Sequence, residues 1–349
     1  MFREHLFIFF VEKFPKKHYD LGNKCTSIPT KSSLMEFAMS DFERIQSLIK
    51  DKAEAEARLS LIPYDGSPEI KENRSGKYLY IRKRIAGKLT SKYVDVYSDD
   101  LYQLLLRNAS ESRELKKQIR KISKELAALW YAPGELSAEV RLNLDFARAN
   151  MKSNIYDQAV LEGVSTTFPQ MEDIIDNGTV NGMTAGDVQK ILNLKHAWEF
   201  ILDEDVICAD SDYYLLSHIA RLVNEGFYSN GGRIRGVPVS IGGSKYVPPI
   251  PVEAMVKESV HGITGSKENP IDIAIDLCLY VMKTQVFIDG NKRAAVIFAN
   301  HYMISNGAGL LVIPESEVSE FKKLLVKYYE DDIKDQIRSF LREKCWRKM

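Results

Sequence analysis

Residues 269–307 constrain this chain more than any other stretch. They read NPIDIAIDLCLYVMKTQVFIDGNKRAAVIFANHYMISNG. Asn269 and Pro270 suit the N-cap and the first position of a helix. Ile271, Ile275, Cys278 and Met282 then recur along one helical face, which predicts a buried helix over 270–284. The pattern pauses at 285–291 and resumes as a helix to Asn306, where Gly307 stops it. An apolar helix needs other elements to cover it, and from the boundary at 131–139 onward the sequence pattern is mainly helical.

The bulk properties agree. A length of 349 residues suggests about two domains. Acids and bases balance at 48 each, so no global field drives the protein to nucleic acid or membrane, and any such role must be local. Cys25, Cys208, Cys278 and Cys345 show no metal-ligand or disulfide spacing, which leans towards a reducing cytoplasm. The apolar run at 6–11 is too short to span a bilayer and lacks the flanks of a secretory signal. Residues 1–38 are expected to be a poorly ordered or misassigned extension. Met35 and Met39 are alternative starts, and a regular helical pattern begins at Met39.

Residues 39–130 read as an N-terminal module. A charged helix covers 40–60, a turn follows at IPYDGSPEIKENRSGK, and KYLYIRKRIAGKLTSKYVDVY (77–97) reads as a β-hairpin turning at Ala86-Gly87. Asp99 and Asp100 open a long helix to about residue 128. The hairpin carries Arg82, Lys83, Arg84, Lys88 and Lys92 among tyrosines. Such a face contacts nucleic acid or a protein partner, or is a solvated strand face whose charge discourages edge pairing; without a recognised nucleic-acid motif the second is favoured. A Pro-Gly turn near 131–139 marks a boundary, and 135–349 is expected to form the second domain with C-terminal helices. There, helices are expected over 184–202, capped by Thr184 with Asp187 as its box partner, and over 213–226, stopped by Gly226. GGRIRGVPVSIGGSKYVPPIP (231–251) reads as a short hairpin.

The pause at 285–291 carries the chemistry. Lys292 and Arg293 sit at a helix N-terminus, where cations cost roughly 0.3–1 kcal/mol each. A bound anion reverses that sign. Gly290 lets backbone approach closely, and consecutive N–H groups form a nest for phosphate. Asp289 offers oxygen to Mg²⁺ beside such phosphates, and Phe287 anchors the loop in the core. Taken singly, each residue also fits a charged surface turn.

As an ordered set, FIDGNKR resembles the signature of the Fic/Doc family, His-x-Phe-x-(Asp/Glu)-(Gly/Ala)-Asn-(Gly/Lys)-Arg. The resemblance extends over roughly 135–315. It implies a mainly α, Fic-type helical domain with a short β-hairpin flap, preceded here by the small hairpin-plus-helix module. It implies transfer of AMP from ATP, or another nucleoside triphosphate, to a hydroxyl of a target protein, with Mg²⁺. By the same resemblance, Asp289 would bind the metal, and Gly290, Asn291, Lys292 and Arg293 the phosphates. Lys at 292 is similar to the branch that transfers phosphate. The flap, including Arg235, Val237, Val239 and Ile241, would hold the target chain by strand addition.

Two positions depart from the family. The catalytic His falls at Gln285, and an amide has no basic form to take a proton from a hydroxyl near neutral pH. Losing a general base costs about 10²–10⁴ in rate. His301 and His261 are the substitute bases to consider: the first is expected to be structural or at the surface, the second to lie in a loop. Val296 stands where many members place a second Arg. In autoinhibited members that Arg pairs with the Glu of a (Ser/Thr)-x-x-x-Glu-(Gly/Asn) helix. QAVLEG (158–163) occupies the comparable place, with Gln158 at the hydroxyl position and Glu162 and Gly163 kept. Glu162 is expected either to reach Lys292 or Arg293, as an autoinhibitory residue, or to sit at the surface. The resulting expectation is a nucleotide-binding Fic-domain protein with impaired or altered catalysis; the alternative is a non-enzymatic, nucleotide-dependent regulator or a toxin–antitoxin type protein.

Overall fold

The computed structural model describes residues 31–85, 88–129, 131, 135–177 and 182–348, with side chains from Arg44 onward except at Ile85 and Asn177. The chain divides into two compact units, Met1–Glu43 and Arg44–Met349. Of the first, the described part is the opening of helix α1 (Lys31–Leu61). The expectation for residues 1–30 lies outside the described residues. Everything below belongs to the second unit.

The expected helix at 40–60 is the body of α1. The stretch expected to be only a turn contains a strand, β1 (Ser67–Asn73), paired antiparallel with β2 (Gly76–Ile85). Its residues have weak strand propensity, but the open edge of β2 offers a row of hydrogen-bonding groups, and that tertiary opportunity decides the conformation. β2 also pairs with β3 (Lys88–Val96), as the sequence predicts. The turn residues Ala86 and Gly87 lie outside the described residues. One sheet face buries Leu79 and Ile81 against Leu105 of helix α2 (Asp99–Ala128). The Ser98 hydroxyl caps α2 by accepting from the Leu101 N–H, and Asp99 and Asp100 complement the helix dipole. Asp65 ties the sheet to α2. Burial opposes its ionisation, but hydrogen bonds from Lys116, Lys83 and Ser112 hold its carboxyl well below the usual range.

The rest is mainly helical. Helices α3 (Ala138–Ala149), α4 (Met151–Leu161), α5 (Phe168–Asn177), α6 (Ala185–Ile201), α7 (Glu204–Ile207), α8 (Tyr213–Val223) and α9 (Glu253–Thr264) lead to the central pair α10 (Pro270–Thr284) and α11 (Asn291–Ser305). Caps fall where expected: Asn269 accepts from the Ile271 N–H, and Thr184 from the Asp187 N–H. Asp187 answers through its carboxylate to the Thr184 hydroxyl. The apolar face of α10 is wider than the sequence stripe, because Ile273, Ala274, Leu277, Leu279 and Val281 are buried too. α11 packs against α3, α6, α7 and α8, and α9 covers α10. A helix buried nearly all round shows no single apolar stripe.

Gly307, at φ 63°, turns the chain into β4 (Leu310–Leu311), which pairs with β5 (Trp346–Arg347) after helices α12 (Val318–Asp331) and α13 (Lys334–Phe340). The buried Asn300 amide clamps this return. It accepts from the Leu311 N–H and donates to the Leu311 carbonyl.

Over 231–251 the expected hairpin has no strand ladder. The segment turns at Ser244, whose N–H donates to the Ile241 carbonyl, and its one bridge pairs Ile234 with Phe287. Pro238, Pro248, Pro249 and Pro251 lack the N–H groups a ladder needs. The buried Arg235 guanidinium closes the loop instead, donating to the carbonyls of Val237, Pro248 and Pro249. No helix among the described residues is long and apolar enough to cross a membrane.

Candidate functional site

The loop between α10 and α11 is held by its own side chains. Gln285 caps α10 in the left-handed region, at φ 50° and ψ 60°. A non-glycine residue there stores strain on the order of 1–3 kcal/mol and persists only where its surroundings hold it. Its side-chain amide donates to the Met282 carbonyl (2.6 Å), and its oxygen accepts from the Asn291 amide (3.2 Å). Its backbone carbonyl accepts from Arg235 Nε at 2.6 Å. Phe287 is fully buried, as expected. Asn291 staples the loop: its oxygen accepts from the Phe287 N–H and its amide donates to the Phe287 carbonyl.

Gly290 begins α11 at φ 72°, a conformation that glycine adopts without a Cβ penalty. A Cβ here would lie 2.8 Å from the Asn224 oxygen. Asn224, fully buried at the end of α8, donates to the carbonyls of Ala220, Gly231 and Asp289. It is the joint between loop and core, and the sequence reading missed it. Its only sequence signal is an Asn just past the last apolar position of a helix.

The cations are already matched by anions. Arg293 is buried, donating to the Val223 carbonyl (2.7 Å) and to Asp289 (3.1 Å). Glu162, at the end of α4, lies 3.5 Å from Arg293 Nε and 3.5 Å from Lys292 Nζ. Of its two expected placements, the structure has the first: Glu162 reaches both cations. These contacts are ion pairs without hydrogen bonds, since Glu162 Oε1 and Arg293 Nε have no hydrogen-bond partner. Two positive and two negative side chains thus meet at the start of α11, and the anion that offsets the dipole penalty is the protein's own Glu162.

Neighbouring positions are fixed as well. Gln158 is buried, donating to the Arg293 carbonyl and accepting from the Trp198 indole N–H. Val296 is buried beside a cavity of about 10 Å³ lined also by Asn154, Gln158 and Trp198. Neither histidine considered as a substitute base is at the loop. His301 is buried: its Nε2 faces the Val206 carbonyl at 2.8 Å and so carries the proton, leaving Nδ1 to accept from the Ser211 hydroxyl. Burial pushes its pKa down to about 4. His261 lies on helix α9 rather than in a loop, and is exposed.

Residues 210–303 match the family model described as Fic/DOC family, and this span contains α8 to α10, most of α11 and the whole FIDGNKR loop. The chain carries a Fic/DOC domain. Residues 40–103 match a second family, a domain of unknown function designated DUF6788. No curated protein matches the chain. Among solved structures, Fic-1 (residues 134–508) from C. elegans is similar at 18% identity over 70% of this chain and 73% of that one, with a TM-score of 0.47. A Fic family protein from Desulfovibrio desulfuricans G20 is similar at 16% identity over 61% of this chain and 76% of that one, with a TM-score of 0.46.

Glu162 and Gln158 lie outside the matched span and are brought to the Fic/DOC loop by the packing of α4. Of the flap residues, Val237 is exposed, Val239 and Ile241 are half-buried, and Arg235 is buried. Arg235 therefore faces the loop's backbone and not solvent. Asp289 keeps a half-exposed carboxylate with Arg293 as its partner. A single carboxylate suits Mg²⁺ held jointly with substrate phosphates, so this donor fits that ion.

Proposed function

We propose that the Fic/DOC domain binds a nucleoside triphosphate, ATP or a relative, with Mg²⁺, and transfers AMP to a protein hydroxyl at a rate limited by the missing base. The observation that carries this reading is the pairing of Glu162 with both Lys292 and Arg293. Polyphosphate competes for the same cations, so binding requires Glu162 to give way. Asp289 would hold the metal, whose charge neutralises the phosphates. Lys292 and the N–H groups after Gly290 would receive the phosphates. Gln285 would orient a hydroxyl through the second lone pair of its amide oxygen but could not accept its proton. Positioning and electrostatics, which dominate phosphoryl transfer, remain.

A second reading is a nucleotide-dependent regulator, or a toxin–antitoxin type protein, without catalysis. It is favoured by the commitment of both ends of the Gln285 amide to Met282 and Asn291. Mass spectrometry of the protein and its lysate after incubation with ATP and Mg²⁺ separates the two. The transfer reading expects AMP adducts that rise by about 10²–10⁴ in rate with Gln285→His. No adduct from either form overturns it.

A further inference from the structure

The sheet of the N-terminal module has a second face, which the core does not use. Residues paired across the ladder share a face. Tyr80 stands opposite Tyr93 and Glu69, Tyr78 opposite Val96 and Lys71, Arg82 opposite Ser67 and Ser91, and Arg84 opposite Leu89. Leu79 and Ile81 point the other way, into the core with Leu105. A register irregularity between Leu79 and Tyr80 keeps both Tyr93 and Val96 on the outer side. The outer face is therefore aromatic and basic together.

Three tyrosine rings form one patch there. Tyr93 meets Tyr80 edge-on at 5.6 Å and Tyr78 at 6.3 Å, and it is 48% exposed. Lys71 Nζ lies 4.3 Å from the centre of the Tyr80 ring. Arg82 and Arg84 are exposed, and neither side chain has an ion-pair or hydrogen-bond partner among the described residues. Of the acids near this face, Glu69 is occupied by Ser91 and Lys71, and Asp95, whose charge reaches Tyr93, accepts from the Val96 N–H. Unpaired guanidinium groups beside ring faces match a ligand that alternates phosphate with flat π surfaces.

We propose that this face binds single-stranded nucleic acid. Bases stack on the tyrosines while Arg82, Arg84 and Lys71 contact phosphates. A duplex hides its base faces, so the platform discriminates against it. The site lies within the 40–103 domain and is independent of the nucleotide reading of the α10–α11 loop.

The test uses the full chain and fluorescein-labelled oligothymidylate and oligouridylate of about 20 nucleotides, with anisotropy read from about 50 to 200 mM NaCl. Three cation contacts give a slope of log affinity on log salt near about −2, and Arg82→Ser with Arg84→Ser takes away about 1.4 of it. Tyr80→Leu and Tyr93→Leu keep apolar area but lose the π faces, so each weakens binding roughly fivefold or more. Urea midpoints equal to wild type verify that these outer-face variants fold. The proposal is overturned if neither strand binds at about 100 µM protein, the upper range for non-specific binding. Equal binding of a matched duplex also overturns it, as does indifference to the leucine variants. Binding of labelled polyglutamate instead of the strands assigns the face to an acidic protein partner and overturns it too.

Discussion

Replacing Gly290 with alanine tests how the loop is held. The residue sits at φ 72°, where an L side chain costs roughly 1–2 kcal/mol. The new Cβ would also lie 2.8 Å from Asn224 Oδ1, 3.0 Å from its Nδ2 and 3.2 Å from Arg293 Nη2. Asn224 is fully buried and bonded to three carbonyls, so it cannot step aside without losing at least one of them. A lost hydrogen bond adds about 0.5–1.5 kcal/mol. The total is about 1.5–3.5 kcal/mol. Urea unfolding followed by circular dichroism measures it, and a melting point lower by roughly 3–10 °C accompanies it. Gly236→Ala is the control: a Cβ there meets nothing within 4 Å, so its effect stays within about 0.5 kcal/mol. If the two variants unfold at the same urea concentration, the Asn224 joint does not hold the loop and the reasoning fails.

Glu162→Ala frees Lys292 and leaves Arg293 with Asp289 as its one acidic partner, so the affinity for ATP with Mg²⁺ rises by roughly 5- to 30-fold, equal to about 1–2 kcal/mol for ion pairs lacking hydrogen bonds; calorimetry giving an unchanged Kd removes Glu162 as a competitor. His301 should make stability pH-dependent. Its folded pKa of about 4 lies below the ordinary value of 6.5, so the unfolded chain takes the proton first and stability falls as pH drops from about 6.5 to about 4. By pH 5 the loss is about 2 kcal/mol, and His301→Gln, although less stable at pH 7, should show a slope shallower by that amount in urea titrations at each pH. Phe287→Ala, at a fully buried site, costs about 3–5 kcal/mol, and near-neutral unfolding data would show that the loop is not anchored by this ring.

Much of the architecture is written locally. Helix α2 and the caps at Ser98, Thr184 and Asn269 follow from side chains that satisfy N–H groups two or three residues away. FIDGNKR is likewise contiguous, so its glycine, its cations and its buried Phe287 were legible before any packing was known. Strand β1 was not, because its conformation comes from the edge of β2, and the flap was misjudged because β-branched residues do not reveal that their prolines starve a ladder.

The sequence by itself determined that α10 and α11 must be buried, that a cation-bearing loop joins them, and that no basic atom stands at position 285. Only the tertiary structure decided where the compensating charge comes from: Glu162 reaches Arg293 across 131 positions of chain because α4 packs at the foot of α11. It also decided that Asn224 and Arg235 support the loop, and that three tyrosines share one sheet face. Helix caps and turns act over a few residues, whereas charge matching and packing act through space, between residues whose separation in sequence carries no mark of their contact.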